Sequence, residues 1–243
     1  MEKKLPSSIF PARFQILSGS TLKLIAIITM FIDHLGAIIL NKLPAANEYL
    51  FYIGTRGISW YRISRDIGRV AFPIFCFLLV EGFIHTRNRF KYARNLLIFA
   101  LISELPWNIW HGGISHPKQN VYFTLFFGFV AFCAIEQFHD NQKLQFLCLV
   151  SLFFITYHFN ADYGWKGYIF LLIMYFFRYE KGNQALVGSC WLYYEWKACF
   201  AFISINMYNG ERGFIKGKFG KYFFYAFYPV HIILLLLAKH YFM

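Results

Sequence analysis

The sequence alternates long apolar runs with short polar turns along most of its length. A helix that crosses a bilayer needs roughly 20 apolar residues. By this pattern we predict membrane helices at residues 22–40, 69–86, 92–110, 121–138, 144–159, 165–178, 184–206 and 222–241. The expected fold is therefore all-α, a polytopic integral membrane helical bundle with about eight transmembrane helices.

The segment 41–68 does not follow this pattern. It mixes aromatic residues with Arg56, Arg62 and Arg65. We expect either an amphipathic helix in the membrane interface or a re-entrant piece. Either one would raise the number of helices in the membrane to nine or ten, and a full extra crossing would invert the topology of everything that follows.

Composition supports a membrane protein. Of the 243 residues, 58% are hydrophobic and 15% are charged, whereas soluble domains carry about 25% charged residues. We therefore treat residues 1–243 as a single membrane-embedded domain. Residues 1–21 are expected to form a cytoplasmic basic N-terminal segment, because they stay polar for too long to be a cleaved signal peptide.

The net charge of +12 is distributed mainly over short turns between the apolar runs. This distribution is what the positive-inside rule and anionic lipids require, so lipid rather than nucleic acid is the expected partner. We predict a multi-pass protein of the cell membrane with a cytoplasmic N-terminus. The rule is strained by four later cations, which an eight-span count would place outside: Arg212, Lys216, Lys218 and Lys221.

The first apolar run contains an adjacent acid and histidine, Asp33 and His34. Ionisable groups at this depth cost at least ~2.5 kcal/mol each, so they usually serve a function inside the bundle. On a helix, Lys23 and His34 lie only about 20° apart in direction and about 16 Å apart along the axis. Asp33 is turned about 100° from His34 and would orient a neighbour or accept from another helix. The alternative is a polar pair that joins helices.

The second apolar run begins at Arg69 and ends with Glu81 and His85 on one helix face. A carboxylate one turn away can hold a histidine in one tautomer, although a wetted pair at a helix end is the alternative. Arg69 is a candidate to bind a donor or stabilise an oxyanion. Its alternative role is to reach lipid headgroups.

A basic turn follows, with four cations between Arg87 and Arg94. Guanidinium groups bind phosphates in a bidentate manner, which suits a charged cytoplasmic cosubstrate, and lipid headgroups are the alternative ligand. Glu104 and His231 are further ionisable residues in apolar runs that need internal partners. The sequence lacks HExxH, GxSxG, Walker and zinc-ligand spacings, so no metal is expected.

An ordered set of motifs resembles one known family. The motifs are LKLIAIITMFIDHLG, GRVAFPIFCFLLVEGFIHT, LISELPWN, NVYFTLFFG, DYGWKGY, NGERG and KYFFYAFYPVH. They resemble the TraX family, which is pilin acetylase-like, within the broader group of transmembrane acyltransferases. The resemblance implies transfer of an acyl group, with acetyl the first candidate, from cytoplasmic acetyl-CoA to an amine or hydroxyl across the membrane. The acceptor would be a peptide or pilin N-terminus, a sugar or a small molecule.

The resemblance and the helix geometry together assign roles to residues. His34 would act as general base or carry the acyl group, with Asp33, Glu81 and Glu104 in support. Donor binding is assigned to Lys23, Arg69, His85, Arg87, Arg89 and Arg94. Acceptor or other contacts are assigned to Asp162, Arg212, Tyr228 and His231. The alternatives are a proton-coupled transporter, or a non-catalytic membrane subunit of a pilus or conjugation apparatus.

Overall fold

The structure is a computed structural model that describes residues 7–242, except for the side chains of Lys218 and Lys221. Lys3 and Lys4 of the predicted basic segment therefore lie outside the described residues. The α-helices are α1 Gly19–Ile38, α2 Pro44–Asn47, α3 Trp60–Gly68, α4 Ala71–His85, α5 Arg89–Trp110, α6 Val121–Gln137, α7 Gln142–Phe159, α8 Gly164–Phe176, α9 Lys181–Trp191, α10 Ala201–Asn206 and α11 Gly217–Phe242. Shorter 3-10 helices span Ala12–Phe14, Leu40–Lys42 and Tyr193–Phe200.

Three helical stretches of the described chain are long and apolar enough to cross a membrane. They are Gly19–Lys42, Trp60–His85 and Tyr222–Phe242, and α6 and α8 are shorter apolar helices. The predicted class of a mostly helical protein with candidate membrane spans is confirmed. The count of about eight spans stays a prediction.

The segment 41–68 corrects the all-α prediction. It contains two antiparallel strands, β1 Phe51–Ile53 and β2 Arg56–Ile58, with Phe51 opposite Ile58. Gly54 makes the turn at φ +61°, a conformation that glycine adopts without steric cost. After the hairpin comes the amphipathic helix α3, and its placement in the membrane interface stays a prediction.

The predicted helix 184–206 is also wrong as a continuous element. Helix α9 ends at Trp191, a 3-10 stretch follows, and Glu195 has the non-helical angles φ −129° and ψ 51°. In this irregular stretch Glu195 binds Arg69, and Lys197 binds Asp66. These ion pairs with the segment around α3 are a reason for the break in the helix. They cannot be predicted from the local apolar pattern.

The chain divides into two compact units. The first comprises residues up to Ile9 together with Cys76–Trp191, and the second comprises Phe10–Phe75 together with Leu192–Met243. The core of the first unit contains packed aromatic rings. The ring centre of Phe83 lies 5.2 Å from that of Phe129 and 5.5 Å from that of Phe132. The prediction of a single domain is not tested by this division.

In the second unit α1 packs closely against α3 through two glycines. A Cβ atom on Gly36 would overlap the hydroxyl of Ser64, and one on Gly68 would overlap the side chain of Asp33. Small residues at these positions let the two helix backbones approach. Helix α1 also contacts α11.

Candidate active site

A row of buried residues runs along α1. The helix begins after Ser18, whose hydroxyl accepts from the backbone N–H of Thr21 at 3.2 Å. The buried positions recur every four residues and include Leu22, Ala26, Met30, His34 and Ile38. The ammonium of Lys23 lies 5.7 Å from the ring centre of Phe224 in α11. Lys23 and His34 therefore both contact α11, in agreement with the common direction expected from the sequence.

His34 is paired with the second buried histidine, His231 of α11. His34 Nδ1 lies 2.5 Å from His231 Nε2, and the two rings lie nearly end to end, with centres 4.8 Å apart and planes 11° apart. The exposed fractions are 8% for His34 and 2% for His231. His231 Nδ1 in turn lies 2.7 Å from the carbonyl oxygen of Phe227. The structure thus joins two residues that are 197 positions apart in the sequence.

Aromatic rings surround the histidine pair. Tyr228 meets both imidazoles edge to face at 5.8 Å, and Phe227 stacks on His231 at 5.0 Å. The ring of Phe31 lies 6.3 Å from that of His231. In such an apolar environment a hydrogen bond is electrostatically stronger than in water, so the geometry of the pair is well defined.

Asp33 points to α3 and is bound there by Arg65. Arg65 Nη1 donates to Asp33 Oδ2 at 2.5 Å and to the Asp33 carbonyl oxygen at 3.3 Å. This arrangement agrees with the expected angle of about 100° between Asp33 and His34 on the helix. The role of Asp33 as a support for His34 chemistry stays a prediction.

Further ion pairs tie α3 to other parts of the second unit. Asp66 accepts from Arg56 at 3.1 Å and also from Lys197. Arg69, predicted to bind a donor or an oxyanion, donates to Glu195 at 3.1 Å. In this structure the Arg69 guanidinium is therefore already engaged with a carboxylate.

The predicted donor residues of the first unit lie around the end of α4 and the start of α5. His85 Nδ1 lies 2.8 Å from the carbonyl oxygen of Glu81 and 3.9 Å from its carboxylate. Arg89 lies 4.3 Å over the ring of Phe83 and 3.5 Å from the carboxylate of Glu136. Arg87 and Arg94 are exposed and make no ion pair within residues 7–242.

Glu104 is bound by Asn120, the residue that caps α6. Asn120 Nδ2 lies 2.5 Å from Glu104 Oε2 and 2.8 Å from the Ala100 carbonyl oxygen. Its Oδ1 accepts from the backbone N–H of Tyr122 at 3.0 Å. Glu104 Oε1 is buried and has no hydrogen-bond partner within the described part of the chain.

Two other predicted contact residues have structural partners. Asp162 pairs with Lys118 at 2.7 Å, and its carbonyl oxygen accepts from the hydroxyl of Thr124. Arg212 is exposed, and its carbonyl oxygen accepts from the backbone N–H and the hydroxyl of Ser20, both at 2.9 Å. Their proposed contacts with an acceptor stay predictions.

A histidine pair outside the predicted spans lies between α5 and α6. His111 and His116 stack with ring centres 4.5 Å apart. Burial lowers the pKa of His111, and the charges of His116 and Lys118 act in the same direction, whereas the Trp107 carbonyl and Asp162 oppose them. No group of three metal-ligating side chains occurs among the residues that the structure describes.

Sequence reasoning missed the partners of the acidic residues. The sequence places Arg65 in the segment 41–68 but does not indicate that it binds Asp33, and it indicates no contact between Asp66 and Lys197. The signal that was present is the spacing of Arg62, Arg65 and Arg69, which recur at helical intervals. That spacing would have predicted a basic helix face in need of carboxylates.

Comparison with known proteins identifies the family. The family model described as TraX protein matches residues 18–239. The chain belongs to the TraX family. This TraX-family chain is also 30% identical over 253 aligned residues to a protein of Dichelobacter nodosus, "Probable fimbrial assembly protein FimC, serogroup H1", with 91% of this chain and 96% of that protein covered. No solved structure matches the chain. The resemblance inferred from the motifs is thus confirmed, and the family is linked to pilin acetylation.

Proposed function

We propose that this TraX-family protein is an integral membrane acyltransferase that moves an acetyl group from cytoplasmic acetyl-CoA to an amine or hydroxyl acceptor across the membrane. The observation that supports this most directly is the burial of His34 in an apolar helix against a second histidine. Hydroxyl or amide side chains suffice to join helices. An imidazole adds a ring nitrogen that can take up and release a proton during a reaction.

The chemistry requires a group that removes a proton from the acceptor. When the amine or hydroxyl attacks the thioester carbon, a C–N or C–O bond forms, the C–S bond breaks and the CoA thiolate leaves. His34 acts either as the general base for this step or as a nucleophile that carries the acetyl group as an acyl-imidazole. A positioned general base contributes about 10²–10⁴-fold to the rate.

The donor is assigned to cationic side chains. Lys23 lies on the same face of α1 as His34, and the exposed guanidinium groups of Arg87 and Arg94 suit the phosphates of acetyl-CoA. The acceptor is proposed to be a pilin-type peptide amine, because the family is linked to pilin acetylation. Sugars and small amines are the alternative acceptors.

A second candidate function is a non-catalytic membrane subunit of a pilus apparatus. It is favoured by the relative from Dichelobacter nodosus, whose name describes a fimbrial assembly protein. This function would leave acetyl-CoA unused. The two proposals are therefore separated by a test of acetyl-CoA turnover.

The test is to incubate the purified full chain in lipid nanodiscs with radiolabelled acetyl-CoA, with and without an amine-bearing peptide. Wild type is expected to hydrolyse acetyl-CoA or transfer its acetyl group, and His34→Ala is expected to do neither. His240→Ala, an exposed histidine near the end of α11, is the matched control and should behave as wild type. If wild type neither binds nor consumes acetyl-CoA, and His34→Ala changes nothing, the enzyme proposal is wrong.

The donor assignment has its own test. Replacing Arg87 and Arg94 by Gln should raise the dissociation constant for acetyl-CoA without loss of folded protein, because two phosphate ligands are removed. Lys143→Gln removes an exposed cation at another turn and serves as control. Unchanged affinity in the Arg87 and Arg94 variants would assign the basic turn to lipid headgroups instead.

A further inference from the structure

A chain of hydrogen bonds runs from the backbone of α11 to His34. A carbonyl oxygen can only accept, so His231 Nδ1, at 2.7 Å from the oxygen of Phe227, carries a proton. In a neutral imidazole the other nitrogen then has a lone pair. His231 Nε2 therefore accepts, and the atom that donates to it at 2.5 Å is His34 Nδ1.

We propose that His231 is a positioning residue that fixes the tautomer of His34 and so makes His34 Nε2 the basic, reactive nitrogen of the site. The assignment rests on the proposed acyltransferase function, which gives that nitrogen its reaction. The sequence predicts that a carboxylate orients His34. In this proposal the imidazole of His231 on α11 has that role instead. Asp33, by contrast, is bound to Arg65.

The surroundings of the pair favour this one tautomer. If His34 carried its proton on Nε2 instead, two lone pairs would face each other across 2.5 Å in a buried environment. Two acceptors cannot bond, and an unmade hydrogen bond in the interior is costly. The two ring planes are only 11° apart, which suits a bond between ring nitrogens, and the edge of Tyr228 packs against His34.

The reaction then uses one atom of His34 throughout. His34 Nε2 takes the proton of the attacking amine or hydroxyl as the new bond to the thioester carbon forms. The C–S bond breaks, and the thiolate leaves and receives the proton from the imidazolium. During this step His34 Nδ1–H keeps its bond to His231, which stays neutral. In the acyl-imidazole route the same Nε2 lone pair attacks the thioester carbon, the C–S bond breaks and the CoA thiolate leaves. The acceptor amine or hydroxyl then attacks the acetyl carbon, the bond to Nε2 breaks, and the proton of the acceptor goes to the thiolate, while His34 Nδ1–H keeps its bond to His231.

The test compares two variants of His231 in the full chain. In His231→Gln the side-chain amide oxygen can accept from His34 Nδ1, whereas in His231→Leu nothing accepts. We expect His231→Gln to keep kcat within about 5-fold of wild type. His231→Leu should lower kcat by at least about 10-fold, part of the 10²–10⁴-fold that a positioned base contributes, because only a fraction of His34 then has an unprotonated Nε2 and the charged ring has no acceptor for Nδ1–H; the KM for acetyl-CoA should be unchanged. His240→Gln and His240→Leu are the matched controls.

A readout that does not depend on activity is the ¹⁵N spectrum of histidine-labelled protein. Signals of His34 are identified by their absence in His34→Asn. Wild type and His231→Gln should show a protonated Nδ1 and an unprotonated Nε2 for His34, and His231→Leu should show a mixture of tautomers. A wild-type His34 protonated on Nε2 overturns the inference.

The kinetic outcomes are equally decisive. Wild-type kcat in His231→Leu, or equal losses in the Gln and Leu variants, also overturns the inference. If wild type consumes no acetyl-CoA but shows the expected spectrum, the proposed enzyme function fails while the tautomer assignment stands. The two failures are therefore distinguishable.

Discussion

Removing the carboxylate of Asp33 while Arg65 remains is expected to destabilise the protein. The two side chains meet at 2.5 Å between α1 and α3, with exposed fractions of 17% for Asp33 and 24% for Arg65. Asp33→Asn keeps the shape of the side chain but leaves the guanidinium without its counter-charge. The lost free energy of unfolding therefore measures the effect of the charge and not of packing.

The size of the effect follows from this partial burial. Breaking a fully buried ion pair by removing one partner costs about 3–5 kcal/mol, and exposed pairs are worth about 0–1 kcal/mol. For a pair that is mostly but not fully buried we expect about 2–4 kcal/mol. The neutral double variant Asp33→Asn/Arg65→Gln should lose less than the sum of the two single variants, by about 1–3 kcal/mol.

The assay is reversible unfolding of the full chain in mixed micelles by a denaturing detergent, followed by tryptophan fluorescence. Asp140→Asn removes a carboxylate from the exposed pair His139–Asp140 and serves as control. We expect the control to stay within about 0.5 kcal/mol of wild type. The reasoning is refuted if Asp33→Asn unfolds like the control, or if the two single losses simply add in the double variant.

Three further predictions concern other contacts. Gly36→Ala should lower the free energy of unfolding by about 1–3 kcal/mol in the same assay, because the added Cβ overlaps Ser64. The helical control Gly182→Ala has room for a Cβ and should be neutral or slightly stabilising. Equal effects of the two substitutions would contradict the close packing. Asn120→Ala should cost about 2–4 kcal/mol of stability, because it removes both a helix cap and the partner of Glu104. The control Asn141→Ala removes an exposed cap and should cost about 1 kcal/mol. Similar losses would show that the buried bonds of Asn120 add no stability. Because the pKa of His111 is lowered in the folded protein, the unfolded chain binds more protons on acidification. Thermal stability should then fall as the pH drops below about 6.5, and His111→Gln should flatten that fall; an unchanged pH dependence would contradict it.

The long helices were predictable because an apolar run is a local property of the sequence. Helix α1 was expected at 22–40 and spans Gly19–Ile38, and α6 was expected at 121–138 and spans Val121–Gln137. The hairpin was missed because strand pairing depends on the turn at Gly54 and on contacts across it. Its aromatic residues and arginine fit an interfacial helix equally well by composition.

The pairing of His34 with His231 could not be predicted from the sequence. Helical periodicity placed His34 on a face shared with Lys23, and the cost of burial marked His231 as needing a partner. Neither observation says which helix faces which, because that depends on packing between segments 197 residues apart. The same holds for Glu195, whose contact with Arg69 lies in an interrupted helix that the apolar pattern predicted to be continuous.

Within the second unit, ion pairs hold α3 to its neighbours more firmly than α11 is held. Helix α3 is held to α1 at Asp33 and to the stretch after α9 at Glu195 and Lys197, so sliding it would break several charged contacts at once. Helix α11 meets α1 through ring contacts and the bond between His34 and His231. A small rotation of α11 would be the easier motion. Such a rotation would separate the two imidazoles and, in the proposed mechanism, release His34 from its single tautomer without moving the helix that carries it.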